Sequence, residues 1–599
     1  MAKRRTPIDY TSRDFESIRE DLVNYAKRYY PDTFKDFSES SFGSLMLDTV
    51  AYVGDISSFY LDYQTNESFL DSATEYNNVL RLAKQFGYKF RGSSSTTGMV
   101  SLYAIVNANA TGLGPKQEYM PILKRNTVLG SSTGASFILT EDVRFDEPSN
   151  EVVAANIDNA TGLPTSYAIK AMGQAISGEF KTTSVTVGTF ERFKKVFIDD
   201  ANLVEVVSVF DSEGHEYFEV EYLSQDVVYK ATTNKDSNTR DNAPSLIRPF
   251  VAARRFTVSQ SRRRTTLQFG YGSDSQVASP ALAEPSNVVL QRAAKNYVTD
   301  AIFDPSDLVG SDKLGIGPAN TTLTITYRRN TNSSANAAIG QVNRVASPIV
   351  EFNNPTISNT AEARTVISSI EAFNEEPMVG SVRNPTAEEI RMQALNIFPA
   401  QSRAVTASDY EGILYAMPGQ FGAVKRCRVV RDQDSLKRNL NVYIISEDSN
   451  GKLIASNSAL KENIKIYLNR YRMINDTVDI LDAKIVNVGI EFEVVAAEEV
   501  NKFEVLDNAT TALVNAFGSR AMFIGERFYI TDVFTALNKV RGVADTAKVK
   551  LVSKRGANYS SSTLNIDQFM SLDGRYLSVP DNVILEIKFP RIDIRGTVR

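Results

Sequence analysis

Apolar residues recur every three or four positions in three stretches at the start of the chain. Phe15, Ile18, Leu22, Tyr25, Ala26 and Tyr29 form one stripe. Leu45, Met46, Val50, Val53, Ile56, Phe59, Tyr60 and Tyr63 form a second, and Tyr76, Val79, Leu80, Ala83 and Phe86 a third. This spacing predicts three amphipathic helices. Thr11 and Ser12 are placed to cap the first, Gly43 precedes the second, and Gly87 is placed to end the third. The stripes are wide and rich in aromatic residues. An internal core is the commoner destination for such stripes, and a partner chain is the other. Phe15, Ile18, Leu22, Tyr25, Tyr29, Met46, Val50, Val53, Phe59, Tyr60 and Tyr63 are therefore the candidate interface residues.

From about residue 91 the period changes to two. Val100, Leu102, Ala104 and Val106 alternate with other positions, as in a half-buried strand. Strand-like runs follow at 127–130, 135–140, 183–190, 203–210, 216–222, 254–270 and 321–328. Gly134, Gly188 and Asp211-Ser212-Glu213-Gly214 are turn signals. Residues 329–362 are rich in Asn, Ser, Thr and Ala, the composition of an exposed linker at a domain boundary.

Residues 384–430 read as two capped helices entering a strand. Thr386 with Glu389, and Thr406 with Asp409, have the spacing of helix N-terminal capping devices. Pro385 and Pro399 bracket the first helix. Tyr410, Ile413, Leu414 and Met417 share one face of the second, which Pro418-Gly419 ends. Strands are expected at Val424–Val430 and Leu440–Ile445, then a helix capped by Ser458 with Leu460, Ile464, Leu468 and Tyr471 on one face. A strand with Val486, Val488, Ile490, Phe492 and Val494 on one face completes a β-β-α-β layer. A second such unit has a helix over 503–517 ending at Gly518, and a helix capped by Thr531-Asp532. Its strands fall near 545–552 and 583–589.

Several ordered blocks resemble the baseplate J-like family, wedge subunits of contractile phage tails. One is Arg403-Ala404-Val405-Thr406 followed by Asp409-Tyr410. An amino-terminal series has Asp9-Tyr10-Thr11, Gly43, Asp48-Thr49, Ala51-Tyr52, Gly54-Asp55, Glu67-Ser68-Phe69-Leu70 and Gly87-Tyr88. In the β-rich part stand Phe269-Gly270-Tyr271-Gly272 and Gly315-Ile316-Gly317-Pro318-Ala319-Asn320. The carboxy-terminal part has Ile524-Gly525-Glu526, Ile530-Thr531-Asp532 and Val540-Arg541-Gly542-Val543. One turn departs from the pattern, with Asn126-Thr127 where Gly-Thr is usual. Asn tolerates a left-handed backbone, so the turn can survive.

The resemblance implies a structural subunit of a T-even-like baseplate wedge. Such subunits self-associate through their carboxy-terminal domains, by homodimer contacts that build a ring around the central hub. Their amino-terminal helices bundle with another wedge protein, and the ring relays host attachment to contraction of the neighbouring tail sheath. The location implied is the virion tail, after assembly in the host cytoplasm.

Composition changes this picture little. At 599 residues with 42% apolar and 23% charged positions, several packed soluble domains are expected. We divide the chain into a helical region at 1–90, β-rich domains at 91–330 and a connecting segment at 331–383. An α+β domain with its helical joint follows at 384–498, and a last α+β domain at 499–599. The fold class is multidomain α+β, with amino-terminal helices, a central β-rich part and small carboxy-terminal α+β domains. A net charge of −5 argues against polyanion binding as the main activity. No apolar run suggests a membrane span or signal peptide. The lone Cys427 excludes an intrachain disulfide, and with the lone His215 it leaves too few ligands for an ordinary zinc site. No cofactor, metal, nucleic-acid or membrane partner is expected.

Candidate chemistry is sparse. Gly130-Ser131-Ser132-Thr133-Gly134 fits the G-x-S-x-G pattern of serine hydrolases, with His215 as the base a tail-associated hydrolase would need. A strand follows the motif where a helix should, so a hairpin turn is the reading, and His215 sits in a turn of its own. The carboxylate pair Glu388-Glu389 suits a helix N-terminus. Asp432-Gln433-Asp434 lacks the glycine and terminal glutamate of a calcium loop. Arg262-Arg263-Arg264 could meet phosphates. Lys425, Arg426 and Arg428 are expected to pair with acidic surface on a neighbouring subunit, which makes Arg426 and Arg428 interface candidates.

Overall fold

The computed structural model describes residues 14–30, 41–109, 113–159, 162–234, 245–273, 314–331, 335–401, 403–432, 439–498, 500–518 and 522–599. Asp9-Tyr10-Thr11, Ser12, Gln433 and Asp434 lie outside them. The chain divides into two compact units. One holds residues 1–88 and 385–401, the other 89–384 and 402–599. The expected class stands: amino-terminal helices, a β-rich centre and mixed α/β layers at the carboxy terminus.

The first unit contains α1 (Phe15–Tyr29), α2 (Phe42–Asn66) and α3 (Tyr76–Gln85), together with α5 (Ala387–Ala400). Asp14 stands at the N-cap of α1. Ser41, not Gly43, begins α2: its Oγ accepts the Ser44 N–H at 3.0 Å, and Gly43 lies inside the first turn. Gly87 ends α3 as expected. With φ of 87° it lets its own N–H reach Lys84 O, while Tyr88 N–H reaches Ala83 O. The Thr386–Glu389 capping box of α5 is formed in both directions. Pro399 does not bracket α5 but sits in its last turn, and Gln401 closes the helix in the left-handed conformation. Lacking an N–H, Pro399 cannot donate to Leu395 O, and the helix ends one residue later.

In the second unit the β-rich centre has two seven-stranded sheets. One runs Val342–Ser347, Val128–Ser131, Ser136–Leu139, Pro164–Ser177, Thr97–Asn107, Glu371–Phe373, with Glu151–Ile157 also on Pro164–Ser177. The other runs Glu179–Val187, Thr321–Arg329, Leu203–Phe210, Glu216–Glu219, Arg255–Gln260, Thr265–Phe269, Lys195–Ile198. Val100, Leu102, Ala104 and Val106 all point into the first core, as their alternation requires. Asn126 takes φ of 70°, so the departing turn does use the left-handed freedom of Asn. The two glycine-rich loops at 269–272 and 315–318 meet: Gly272 N–H donates to Gly315 O, and Gly317 N–H to Gly272 O, both at 2.9 Å.

The stretch 329–362 is not an exposed linker. After the turn it supplies the strands Val342–Ser347 and Val350–Phe352, and α4 (Ala361–Ser368) starts within it. Asn330 and Asn336 are buried, as is Ala337. Composition misled because Asn, Ser and Thr are welcome inside when every polar atom finds a partner.

Carboxy-terminally, Arg426–Arg431, Asn439–Glu447, Leu453–Ile454 and Thr477–Asp482 form a four-stranded sheet. It is flanked by α6 (Ala407–Tyr415) and α7 (Ser458–Leu468). The last strand of this layer is Thr477–Asp482, parallel to Asn439–Glu447, and not the 486–494 run. Lys484–Ala496 instead centres the next sheet, between Val543–Ser553 on one side and Val583–Glu586 with Ile594–Val598 on the other. A single residue, Ala483, separates the two strands, so periodicity alone merges them. Helices α8 (Lys502–Phe517) and α9 (Ile530–Asn538) cover this sheet. Asn457 rather than Ser458 caps α7, and α9 starts at Ile530, so Thr531 and Asp532 lie in its first turn.

Thr406 and Asp409 form the expected capping box of α6, and Asp409 Oδ2 also accepts the Val405 N–H at 3.2 Å. Tyr410 is buried and donates to Asp476 Oδ2 at 2.9 Å. Arg403 is exposed. Thr406→Ala is expected to cost about 1 kcal/mol of stability, measured by denaturant unfolding of the whole chain. An unchanged midpoint would remove the cap from the account.

Candidate interaction surface on the amino-terminal helices

α2 has 25 residues and is therefore about 37 Å long. Only Ser44, Ala51 and Ser58 of it are buried. These small residues are seven apart, and they let α1 approach closely. Ile18 Cδ1 lies 3.3 Å from where a Cβ on Gly54 would be, and Arg19 of α1 pairs with Asp48 and Ser44 of α2. Each small residue is followed by two large apolar ones: Ser44-Leu45-Met46, Ala51-Tyr52-Val53, Ser58-Phe59-Tyr60. The large residues point away from α1. Tyr52 is 58% exposed, Phe59 55% and Tyr60 63%.

The sequence-derived interface set therefore divides. Phe15, Ile18 and Leu22 of α1 are half-buried. Tyr25, Tyr29, Met46, Val50, Val53, Phe59, Tyr60 and Tyr63 are exposed. Tyr25 and Tyr29 meet as a tilted pair at 4.7 Å between ring centroids, and Phe59 stacks on Tyr63 at 6.3 Å. Apolar side chains in contact across so much of one helix far exceed the single exposed residues normal on a soluble surface.

The base of this surface is rigid. Glu67 follows α2 and is buried. Its carboxylate accepts the Thr74 N–H at 2.7 Å, the Thr74 hydroxyl at 2.6 Å, the Asn78 amide at 2.9 Å and the Glu75 N–H at 3.2 Å. It thus satisfies the orphan donors at the start of α3. Burial raises its pKa, but the bonds from Thr74, Asn78 and the backbone outweigh that and hold it at about 2. Arg391 of α5 is also buried. It donates to the carbonyls of Leu70 and Ala73 and pairs with Glu388, so it clamps the same turn from the other side. Sequence reasoning placed Glu67 in the Glu67-Ser68-Phe69-Leu70 block without a role and missed Arg391, because a charged side chain gives no periodic signal.

The other sequence candidates lie elsewhere. Arg426 is buried, with its guanidinium over the Phe523 ring at 4.5 Å and bonded to the carbonyls of Met522 and Lys425. It serves the fold and does not face a neighbour. Arg428 stays near the surface, 3.3 Å from Asp581, and Lys425 pairs with Glu447 at 2.9 Å. Arg264 pairs with Asp199 and covers Phe197. Ser132 occupies the tight turn between the antiparallel strands Val128–Ser131 and Ser136–Leu139, as read from the sequence. His215 lies in a turn of the other large sheet, its Nδ1 3.2 Å from Asp211 Oδ2. Neither has the strand-to-helix elbow a serine nucleophile needs.

Residues 14–85 match the family described as bacteriophage baseplate protein, N-terminal domain. The match covers the amino-terminal helices alone. Within the matched residues, Asp48 and Gly54 are packed toward α1 and Ala51 is buried, whereas Tyr52 faces outward. No curated protein gives a significant match to the chain. Among solved structures, the chain is similar to one in the sixfold-symmetrised cryo-electron microscopy structure of the anti-feeding prophage (AFP) baseplate. That likeness is at 10% identity and a TM-score of 0.24, covering 98% of this chain and 99% of that one. It is also similar to a chain of the type VI secretion system TssK-TssF-TssG baseplate subcomplex, at 10% identity and a TM-score of 0.27, covering 73% and 96%. At these TM-scores neither likeness carries an argument about this chain.

Proposed function

We propose that the chain is a structural wedge subunit of a phage tail baseplate, of the baseplate J-like kind, and that α2 joins it to other baseplate proteins. The observation that carries this reading is the outward face of α2. Large apolar side chains there recur at seven-residue intervals, which is the repeat of a helix that continues into a left-handed helical bundle. Leu45, Tyr52 and Phe59 make one stripe, and Met46, Val53 and Tyr60 the adjacent one. The match of residues 14–85 supports the baseplate part of this reading.

In this reading the partner supplies helices with apolar a and d positions. The carboxy-terminal α+β layers provide contacts between copies of the chain, so that subunits close into a ring around the central hub. The ring passes the signal of host attachment to the sheath. The purified full chain, mixed with the proteins encoded beside it in the tail cluster, is expected to shift to a larger defined complex in sedimentation. If it sediments unchanged with every one of them, the wedge assignment fails.

A further inference from the structure

Residues 92–98 read Gly-Ser-Ser-Ser-Thr-Thr-Gly, the composition of a flexible linker. In the second unit this segment is buried throughout its centre: Ser95 and Thr96 are 0% exposed. It touches three layers of that unit. Toward the first large sheet, Thr96 N–H donates to Ser177 Oγ at 2.9 Å. Toward the second, Arg328 donates to Ser95 Oγ at 2.9 Å, with its Nε on Glu205 at 2.6 Å. Toward the carboxy-terminal layer, Ser95 N–H donates to Gly419 O at 2.8 Å. Asn457 Nδ2 donates to Thr97 O at 2.5 Å and to Pro377 O at 3.0 Å, while its Oδ1 caps α7.

Asn336 completes the set from the stretch that composition marks as a linker. Its Oδ1 accepts from Thr96 Oγ1 at 3.0 Å and from Ser381 N–H at 2.9 Å. Its Nδ2 donates to Ser381 O at 2.7 Å and to Glu447 O at 2.6 Å. There is no space for larger residues, since a Cβ on Gly380 would stand 2.6 Å from Ser95 O.

We propose that this buried strap of hydroxyls and amides locks the two large sheets and the carboxy-terminal sheet layer that holds α7 into one rigid lever, and that Asn336 and Asn457 are the two latches on the carboxy-terminal side. These three layers then transmit displacement as a single body and do not hinge at 329–362. Thr97 Oγ1 is buried without a hydrogen-bond partner, but the other polar side chains of the strap and its two asparagine latches are paired. Such a buried network specifies one arrangement because any other leaves more of its members unpaired. The inference concerns the isolated chain and is decided without a partner, so it stands or falls apart from the wedge assignment.

Hydrogen exchange on the full chain tests it. In the native protein the amides of Leu102–Ala104 and Val442–Ile445 are expected to exchange through one common opening. In the Asn336→Ala, Asn457→Ala double variant, Val442–Ile445 should exchange at least about ten-fold faster than Leu102–Ala104. Asn457→Ser is the milder companion. Its hydroxyl can still cap α7 but cannot reach Thr97 O, and it should separate the two sets in the same direction by a smaller factor. Independent exchange of the two sets in the native chain would overturn the proposal, as would their continued coupling in the variants.

Discussion

Glu67→Gln is expected to destabilise the start of α3 by roughly 2–3 kcal/mol at pH 7 and by almost nothing near pH 2. The carboxylate is held at a pKa of about 2, well below its ordinary value of 4.5. A depressed carboxylate pKa gives stability that is fully present above the ordinary value. That stability is lost as pH falls through the window from about 4.5 to about 2. Glutamine keeps one acceptor but not the charge, so the N–H groups of Thr74 and Glu75 and the amide of Asn78 lose their strongest partner. Exchange of the Val79–Ala83 amides, compared between variant and native chain at each pH, reports the difference directly. Equal exchange at neutral pH would show that these bonds hold nothing in place.

The second large effect is on association. Val53→Glu with Tyr60→Glu places two carboxylates on the outward face of α2, away from Ser44, Ala51 and Ser58. Binding of the partner helices is expected to weaken at least about 100-fold, because hot-spot apolar residues are replaced by charges that must be desolvated. Helical content and the thermal midpoint of the isolated chain should not change, since both side chains are solvent-exposed there. Titration of the variant against the partner, with circular dichroism as the control, measures both. Retained affinity would move the binding surface away from α2.

What was legible in the sequence follows the reach of each signal. Periodicity located α1, α2, α3 and most strands, because a buried face leaves a repeating trace. Capping chemistry located the starts of α5 and α6, since a box needs only residues three apart. Periodicity could not say whether the α2 stripe faced inward. The answer lay in Ser44, Ala51 and Ser58, whose smallness marks the packed side, while the large residues beside them mark the open one. Composition failed at 92–98 and 329–362. It treats Ser, Thr and Asn as solvent-seeking, whereas Thr96, Asn330 and Asn336 spend their side-chain polar groups on partners far away in sequence. Arg426 failed for the same reason in reverse: a strand arginine reads as surface until Phe523, a hundred positions on, is seen to cover it.

The central claim is that the outward face of α2 is covered when the particle is assembled. Hydroxyl-radical footprinting of the isolated chain and of intact tails measures this at Tyr52, Phe59 and Tyr60. The account predicts strong labelling of all three in the free chain and at least about ten-fold protection in the tail. Equal labelling in both would contradict it.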